Sequence, residues 1–256
     1  MRNIKGILAY DGGAYNGWQR QGNTRNTIQE KVEQMFCKLL EEQIEIHGAG
    51  RTDAGVHAKG QVFHFHTESS MPVSDMCQKA NAYLPRDMAV LELQEVNERF
   101  HSRLNARWKW YRYIIDNGAV RDVFSRKYAY QILEELNLEK IQKAAQNLCG
   151  THDYRSFCSL KRMKKSTVRT VYTIEAVRED GKIYLDFYGD GFLYNMVRIL
   201  AGTLIETGLG KREPEEMAAV LEGKKRELAG FTAPAQGLCL MEVGYGTERD
   251  YNIIYR

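Results

Sequence analysis

The sequence lacks the features of a secreted or membrane-embedded protein. Its 256 residues include five cysteines, and no two of these form a CxxC pair. Such a scattered, odd-numbered set is typical of reduced, partly buried thiols in a cytosolic protein. The most apolar helical stretch, FLYNMVRILAGTLI, is interrupted by Arg198, which argues against a membrane span. The N-terminal MRNIKGILAYDGG has too short an apolar run for a signal peptide. We therefore expect a cytoplasmic protein.

Several familiar catalytic motifs are missing as well. There is no G-x-S-x-G nucleophile elbow, and no cysteine has a local catalytic signature. The glycine-rich YDGGAYNGW (10–18) matches neither the P-loop nor G-x-G-x-x-G before a helix. We interpret this segment as a turn with exposed polar groups.

The composition is that of an ordinary globular protein, with 43% hydrophobic and 27% charged residues. Hydrophobic periodicity divides it into two halves with the same order of elements. In the first half, strands are predicted at 4–10, 44–49, 61–67 and 89–96. A first helix follows a capping box of Thr27 and Glu30, and Ser74 is predicted to cap a second.

The second half repeats this order. It contains a strand at 109–116, a helix capped by Asn137, a hairpin around Asp180-Gly181, a helix over 192–208 and a strand at 237–245. A short extra helix is predicted at 213–223. A twice-repeated βαββαβ order is the ferredoxin-like arrangement.

The predicted fold class is therefore α+β. Two ferredoxin-like halves would form a mixed or antiparallel sheet with helices on one face and a central cleft on the uncovered face. The expected halves are residues 1–104 and 105–256.

The net charge of +3 conceals two strongly basic stretches without acidic residues. The first contains Arg99, Arg103, Arg107, Lys109 and Arg112, interleaved with Trp108, Trp110, Tyr111 and Tyr113. The second contains Arg155, Lys161, Arg162, Lys164, Lys165 and Arg169. Basic side chains neutralise phosphates and aromatic rings stack on unpaired bases, so the pattern favours nucleic acid over a merely solvated face.

Two residue groups are candidates for chemistry. His64 and His66 share a face of a predicted strand, but a metal site would need further ligands, and two outward polar residues are the simpler interpretation. Asp53 lies near Arg51 in a glycine-rich loop, where the cation favours the carboxylate anion. Spacing alone leaves open whether Asp53 is catalytic or forms an Asx-turn. No second carboxylate is nearby, which argues against ordinary glycoside hydrolysis.

The sequence resembles the bacterial tRNA pseudouridine synthase A family. The resemblance covers nearly the whole chain, and its most specific run is GRTDAGVHA (50–58). The other matching segments are YDGGAYNGWQRQ (10–21), TIQEKVE (27–33), FHSRLNARWKWYRYII (100–115), GTHDYRSFC (150–158), GFLYNMVRILAGTLIETGLG (191–210) and FTAPAQGLCLMEV (231–243).

This resemblance implies an enzyme that isomerises uridine to pseudouridine at positions 38–40 of the tRNA anticodon stem-loop. It implies a homodimer with no metal and no organic cofactor. Asp53 would be the catalytic residue, Tyr111 would lie against the target base, and Arg198 would pair with Asp53. We expect Arg51 to help Arg198 hold the anion.

Asn195 and Tyr154 depart from the residues common in the family, which are His and Phe, and we expect neither to touch the catalytic set. Two other functions stay open on the sequence. One is a noncatalytic RNA-binding module, and the other is a metal-dependent hydrolase that uses His64 and His66.

Overall fold

The computed structural model describes residues 1–160 and 165–246, so the basic residues Lys161, Arg162 and Lys164 lie outside it. Within the described ranges the helices are α1 (Ile28–Leu40), α2 (Val73–Tyr83), α3 (Leu138–Asn147), α4 (Met196–Gly208) and α5 (Glu216–Gly223). The strands are β1 (Arg2–Tyr10), β2 (His47–Gly48), β3 (His57–Thr67), β4 (Met88–Val96), β5 (Trp108–Asp116), β6 (Tyr130–Gln131), β7 (Gly150–Asp153), β8 (Val168–Glu179), β9 (Lys182–Gly189) and β10 (Leu238–Gly244).

These strands form one mixed sheet in the order β4-β1-β3-β10-β5-β9-β8-β7, with β2 paired to β3 and β6 paired to β5. The first half contributes β4-β1-β3-β2 and the second contributes β10-β5-β9-β8. Both are the strand order of a βαββαβ unit with its last strand beside its first. The predicted α+β fold with two ferredoxin-like halves is confirmed.

The halves meet where β3 and β10 run parallel, with Cys239 opposite His57 and Leu240 opposite Ala58. Gly60 makes this close approach possible, since a Cβ there would lie 2.4 Å from the carbonyl oxygen of Met241. The sheet is therefore continuous across the two halves.

Local capping chemistry explains two of the helix starts. The Thr27 hydroxyl accepts the backbone N–H of Glu30, and the Asn137 side chain accepts that of Lys140 at 3.0 Å. The prediction for Ser74 was wrong, because α2 begins at Val73 directly after Pro72 and Ser74 lies inside its first turn.

Several other boundaries differ from expectation. Helix α4 begins at Met196 rather than at 192, because Asn195 has a φ of +61° that no helix continues through. The predicted strand 44–49 forms a ladder only at His47–Gly48, and β6 and β7 were not predicted. The hairpin at Asp180-Gly181 is confirmed, with φ values of +47° and +74°.

Alternation along β5 decides which side chains reach the helix-covered face. Tyr111, Tyr113 and Ile115 are buried there with their partners on β9 and β10. Arg112 points to the opposite face, where it pairs with Asp186. None of the described helices is long and apolar enough to cross a membrane.

Candidate active site at the join of the two halves

Asp53 lies on a loop whose backbone is fixed on both sides. The hydroxyls of Thr52 and Tyr10 are hydrogen-bonded at 2.8 Å, and the N–H of Trp18 donates to the carbonyl of Thr52 at 3.0 Å. After Asp53 the chain turns through Gly55 at a φ of +80°, with the N–H of Val56 donating to the carbonyl of Asp53 at 3.1 Å. The carboxylate is thus presented from a rigid turn. It accepts no backbone amide among the described residues, so the Asx-turn interpretation is not supported.

The segment YDGGAYNGW (10–18) packs against the loop that carries Asp53. Tyr15 and Trp18 are buried, and the backbone carbonyl of Tyr15 accepts the N–H of Gly55 at 3.3 Å. Gly17 has a φ of +88°, and a Cβ there would lie 2.8 Å from the carbonyl oxygen of Thr52. The segment forms a turn and Asn16 is exposed, as predicted, but more than half of its residues are buried, which was not predicted.

Arg198 reaches Asp53 from the other half of the molecule. It lies in the first turn of α4, and its Nη1 is 3.6 Å from Oδ2 of Asp53. Its Nε donates to the carbonyl of Ala233 at 2.7 Å, and its Nη1 donates to Oδ1 of Asn195 at 3.1 Å. The guanidinium is therefore fixed in place by groups other than the carboxylate.

Burial and charge act in opposite directions on Asp53. Burial raises the pKa of the carboxyl above its ordinary value, and the nearby positive charge of Arg198 partly offsets that rise. The carboxylate is about one-fifth exposed, so a substrate can reach it.

Tyr111 projects from β5 into the same cleft and is buried. Its ring packs edge-on against Phe192 with the centroids 5.4 Å apart. Burial raises the pKa of the Tyr111 phenol, and the nearby Tyr10 and Asp53 raise it further, so the ring stays neutral at physiological pH. Because Tyr111 shares its face with Tyr113, the cleft lies on the helix-covered side and not on the uncovered face that we expected.

The four residues predicted to form the site all line one cleft of about 1160 Å³. This is larger than the roughly 300–1,000 Å³ of most small-molecule pockets, which suits a macromolecular substrate. Arg51 is exposed on the cleft wall. The ion-pair partner of Asp53 in the described ranges is Arg198, and the expectation that Arg51 also holds the anion is not supported.

Only some of the basic residues predicted to bind nucleic acid point into the cleft. Arg103, Lys109 and Arg169 line the cleft. Arg112 instead makes a bidentate pair with Asp186 at 2.9 and 2.8 Å, and Trp110 donates to the same carboxylate at 2.6 Å. Part of the pattern that suggested nucleic acid is therefore structural.

The histidines form a cluster with no metal-binding geometry. His64 is buried, not outward-facing, and its Nδ1 accepts the N–H of Ser102 at 3.2 Å. Its ring lies 5.0 Å from that of His47 and 4.6 Å from that of His101, and burial with these neighbours lowers its pKa to about 4. No group of three or more potential metal ligands occurs in residues 1–160 and 165–246.

Asn195 is the site residue that sequence reasoning misjudged. Besides accepting from Arg198, its amide donates to the hydroxyl of Ser159 at 3.0 Å, so it does touch the predicted catalytic set. Its position three residues before Arg198, where the helix begins, was the available signal. Tyr154 behaves as expected, because its buried hydroxyl donates to the carbonyl of Leu148 at 2.7 Å within the second half.

Comparison with known proteins identifies the family to which the chain belongs. A family profile described as tRNA pseudouridine synthase matches residues 7–105 and 144–246. The chain belongs to the tRNA pseudouridine synthase family. It is 45% identical over 245 residues to the tRNA pseudouridine synthase A of Bacillus sp. (strain KSM-64), with 96% of this chain and 100% of that protein covered. Identity to the synthase of Acetivibrio thermocellus is 44% with the same coverage.

Membership in the pseudouridine synthase family supports an isomerase that modifies tRNA. Among solved structures, the chain aligns with one in a Cbf5-Nop10-Gar1 complex at a TM-score of 0.40 and 14% identity. That alignment covers 95% of this chain and 50% of the other. Both matched segments contribute to the cleft, Asp53 from the first and Arg198 from the second, whereas Tyr111 lies between them in sequence.

Proposed function

We propose that this protein isomerises uridine to pseudouridine at positions 38–40 of the tRNA anticodon stem-loop, with Asp53 as the catalytic carboxylate. The observation that carries the proposal is the Arg198-bound carboxylate of Asp53 at the base of a large basic cleft. The flanking residues are small, so a flipped-out nucleotide can approach closely. Flipping costs a few kcal/mol, and stacking and phosphate contacts offset part of that cost.

The reaction is an internal exchange of bonds. The glycosidic bond from C1′ to N1 breaks, the uracil turns, C1′ bonds to C5, the C5 proton leaves, and N1 gains a proton. The change needs no oxidant and no second substrate. A single carboxylate near the sugar and base therefore suffices as the charged group. Tyr111, as a neutral buried phenol, supplies a surface for the base and a hydroxyl, whereas Arg51 and Arg198 supply positive charge on the cleft wall.

Tritium release from tRNA carrying uridine labelled at C5, with no cofactor added, tests the proposal. We expect release by the wild type and none by Asp53→Ala, with tRNA affinity largely retained in the variant. Mapping the product would identify the modified position. Normal turnover by Asp53→Ala would refute a catalytic role for Asp53. Binding without release from any tRNA would instead favour the noncatalytic RNA-binding module.

We further propose that the protein works as a homodimer in the cytoplasm, without a metal or an organic cofactor. The division into an N-terminal half, 1–104, with the Asp53 loop and a C-terminal half, 105–256, with Tyr111 and Arg198 belongs to the same proposal. Sedimentation equilibrium would test the dimer, since a protein that stays at 29.5 kDa at micromolar concentration contradicts it.

A further inference from the structure

Three basic side chains from three separate elements converge on one part of the cleft. Arg103 comes from the segment between β4 and β5, Lys109 from β5 and Arg169 from β8. The two arginines lie close enough to Lys109 that their charges act on it. We refer to these three residues as the basic cluster.

Lys109 lies directly on the loop that carries Asp53. Its Nζ donates to the carbonyl of Ala49 at 2.9 Å, and a Cβ on Gly50 would lie 2.7 Å from that nitrogen. Gly50 precedes Asp53 by three residues, so their Cα atoms are at most about 11 Å apart. Anything bound to Lys109 is therefore close to the loop that presents Asp53.

The positive charge of the basic cluster has no carboxylate partner in the part of the chain that the structure describes. None of its members forms an ion pair with any residue in the described ranges. Burial, Arg103 and Arg169 together lower the pKa of Lys109 to about 8. Like charges that converge on a half-buried site disfavour one another, and a bound anion would relieve this repulsion.

We infer that the basic cluster is a binding site for a single phosphodiester of the RNA strand, at or next to the nucleotide presented to Asp53. This inference rests on the proposed function for the identity of the anion. Scattered positive charge on the cleft edge would attract the RNA backbone without fixing its position. The basic cluster instead holds one phosphate and thereby sets which nucleotide enters the cleft.

Equilibrium binding of an unmodified tRNA transcript at several salt concentrations tests the inference. Lys109→Met should weaken binding about tenfold and reduce the slope of log Kd against log salt by about 1, as expected for one lost phosphate contact. Lys109→Arg should retain affinity and slope. Lys79→Met, which removes an exposed lysine from α2, is the matched control and should bind like the wild type.

Two further measurements separate one phosphate site from scattered charge. If Arg103 and Lys109 hold the same phosphate, the loss in the Arg103→Gln/Lys109→Met double variant should be smaller than the product of the single losses. Replacing each phosphate near the modified uridine by an uncharged methylphosphonate should weaken wild-type binding at one position, with no further loss in Lys109→Met. Multiplicative losses in either experiment would overturn the inference.

The pH dependence of binding gives a readout specific to Lys109. Wild-type affinity should fall as the pH rises through about 8, because the free amine loses its charge. The groups around Lys109 in the cleft are Arg103, Arg169, His101 and the Asp53 loop, and burial lowers the pKa of His101 below its ordinary value. Lys109→Arg should abolish this dependence.

The salt and pH experiments also distinguish the two proposals. Tritium release by the wild type tests the isomerase activity alone. If a thermally stable Lys109→Met variant binds tRNA like Lys79→Met, the proposed phosphate site is wrong. The proposed isomerase activity is unaffected by that result.

Discussion

Two opposing effects meet at the carboxyl of Asp53. Burial raises its pKa and Arg198 lowers it, with burial dominant. If the anion is the reactive form, kcat/KM should fall as the pH drops through this pKa, because the acid limb reports the free enzyme. Arg198→Met removes the offsetting charge, so we expect the acid limb to move to higher pH.

The control for this shift is Arg51→Met, which removes a charge from the cleft wall without removing the ion pair with Asp53. Arg51→Met should lower substrate affinity and leave the acid limb in place. An acid limb that stays unchanged in Arg198→Met, or that moves to lower pH, would contradict the assignment of Arg198 as the group that supports the anion.

Because burial outweighs the charge of Arg198 in setting the pKa of Asp53, we expect this residue to favour activity at a cost in stability. A carboxyl whose pKa is higher in the folded state destabilises the fold above its unfolded pKa, because folding disfavours the anion. Asp53→Asn should therefore raise Tm at pH 7 while abolishing tritium release. This gain should shrink as the pH falls and the wild-type carboxyl protonates. A lower Tm for Asp53→Asn at pH 7 would show that Arg198 outweighs burial.

Asn195 is predicted to position the guanidinium of Arg198. A hydrogen bond to a charged group contributes about 1.5–3 kcal/mol, so losing it should lower kcat about tenfold or more. Asn195→Gly removes the amide and keeps the φ of +61° accessible, whereas Asn195→Ala adds backbone strain. Both variants should lower kcat and raise the pH of the acid limb, and Asn195→Ala should also lower Tm. An unchanged kcat in Asn195→Gly would assign Asn195 a purely structural role.

At the scale of elements, local chemistry explains which parts of the fold could be predicted. Thr27 and Asn137 cap helices because the capping interaction involves only the next three residues. The prediction that Ser74 caps α2 was wrong, because Pro72 already ends the extended segment before this helix. The prediction that the His64 side chain points outward was wrong, because its burial depends on Ser102, which lies 38 residues away in sequence.

In the candidate site, too, features that are local in sequence could be predicted and those that depend on distant contacts could not. Asp53 could be singled out because GRTDAGVHA is contiguous, whereas the roles of Lys109 and Asn195 depend on which elements meet at the cleft. Periodicity predicts a strand or a helix, but it does not say which loop the strand will touch. The support given by YDGGAYNGW to the Asp53 loop was missed for this reason.

Gly17 tests that support. Its φ of +88° disfavours any other residue, and a Cβ would meet the backbone of Thr52 at 2.8 Å. Gly17→Ala should destabilise the protein by about 1–3 kcal/mol and displace the Asp53 loop. A displacement of about 1 Å can cost a hundredfold in rate. Gly22→Ala is the matched control, since a Cβ at that position would meet nothing within 4 Å. Equal activity and Tm in the two variants would show that the segment does not set the loop.

At the scale of the whole molecule, the proposed site draws on both halves, because Asp53 belongs to the first and Tyr111 and Arg198 belong to the second. Their relative position depends on the pairing of β3 with β10. Gly60→Ala would place a Cβ 2.4 Å from the backbone oxygen of Met241, which can move only if the strands separate. We expect a loss of about 1–3 kcal/mol in urea unfolding, with tritium release nearly abolished. If Gly60→Ala matched Gly22→Ala in both assays, the join of the two sheets would not be what holds the catalytic groups together.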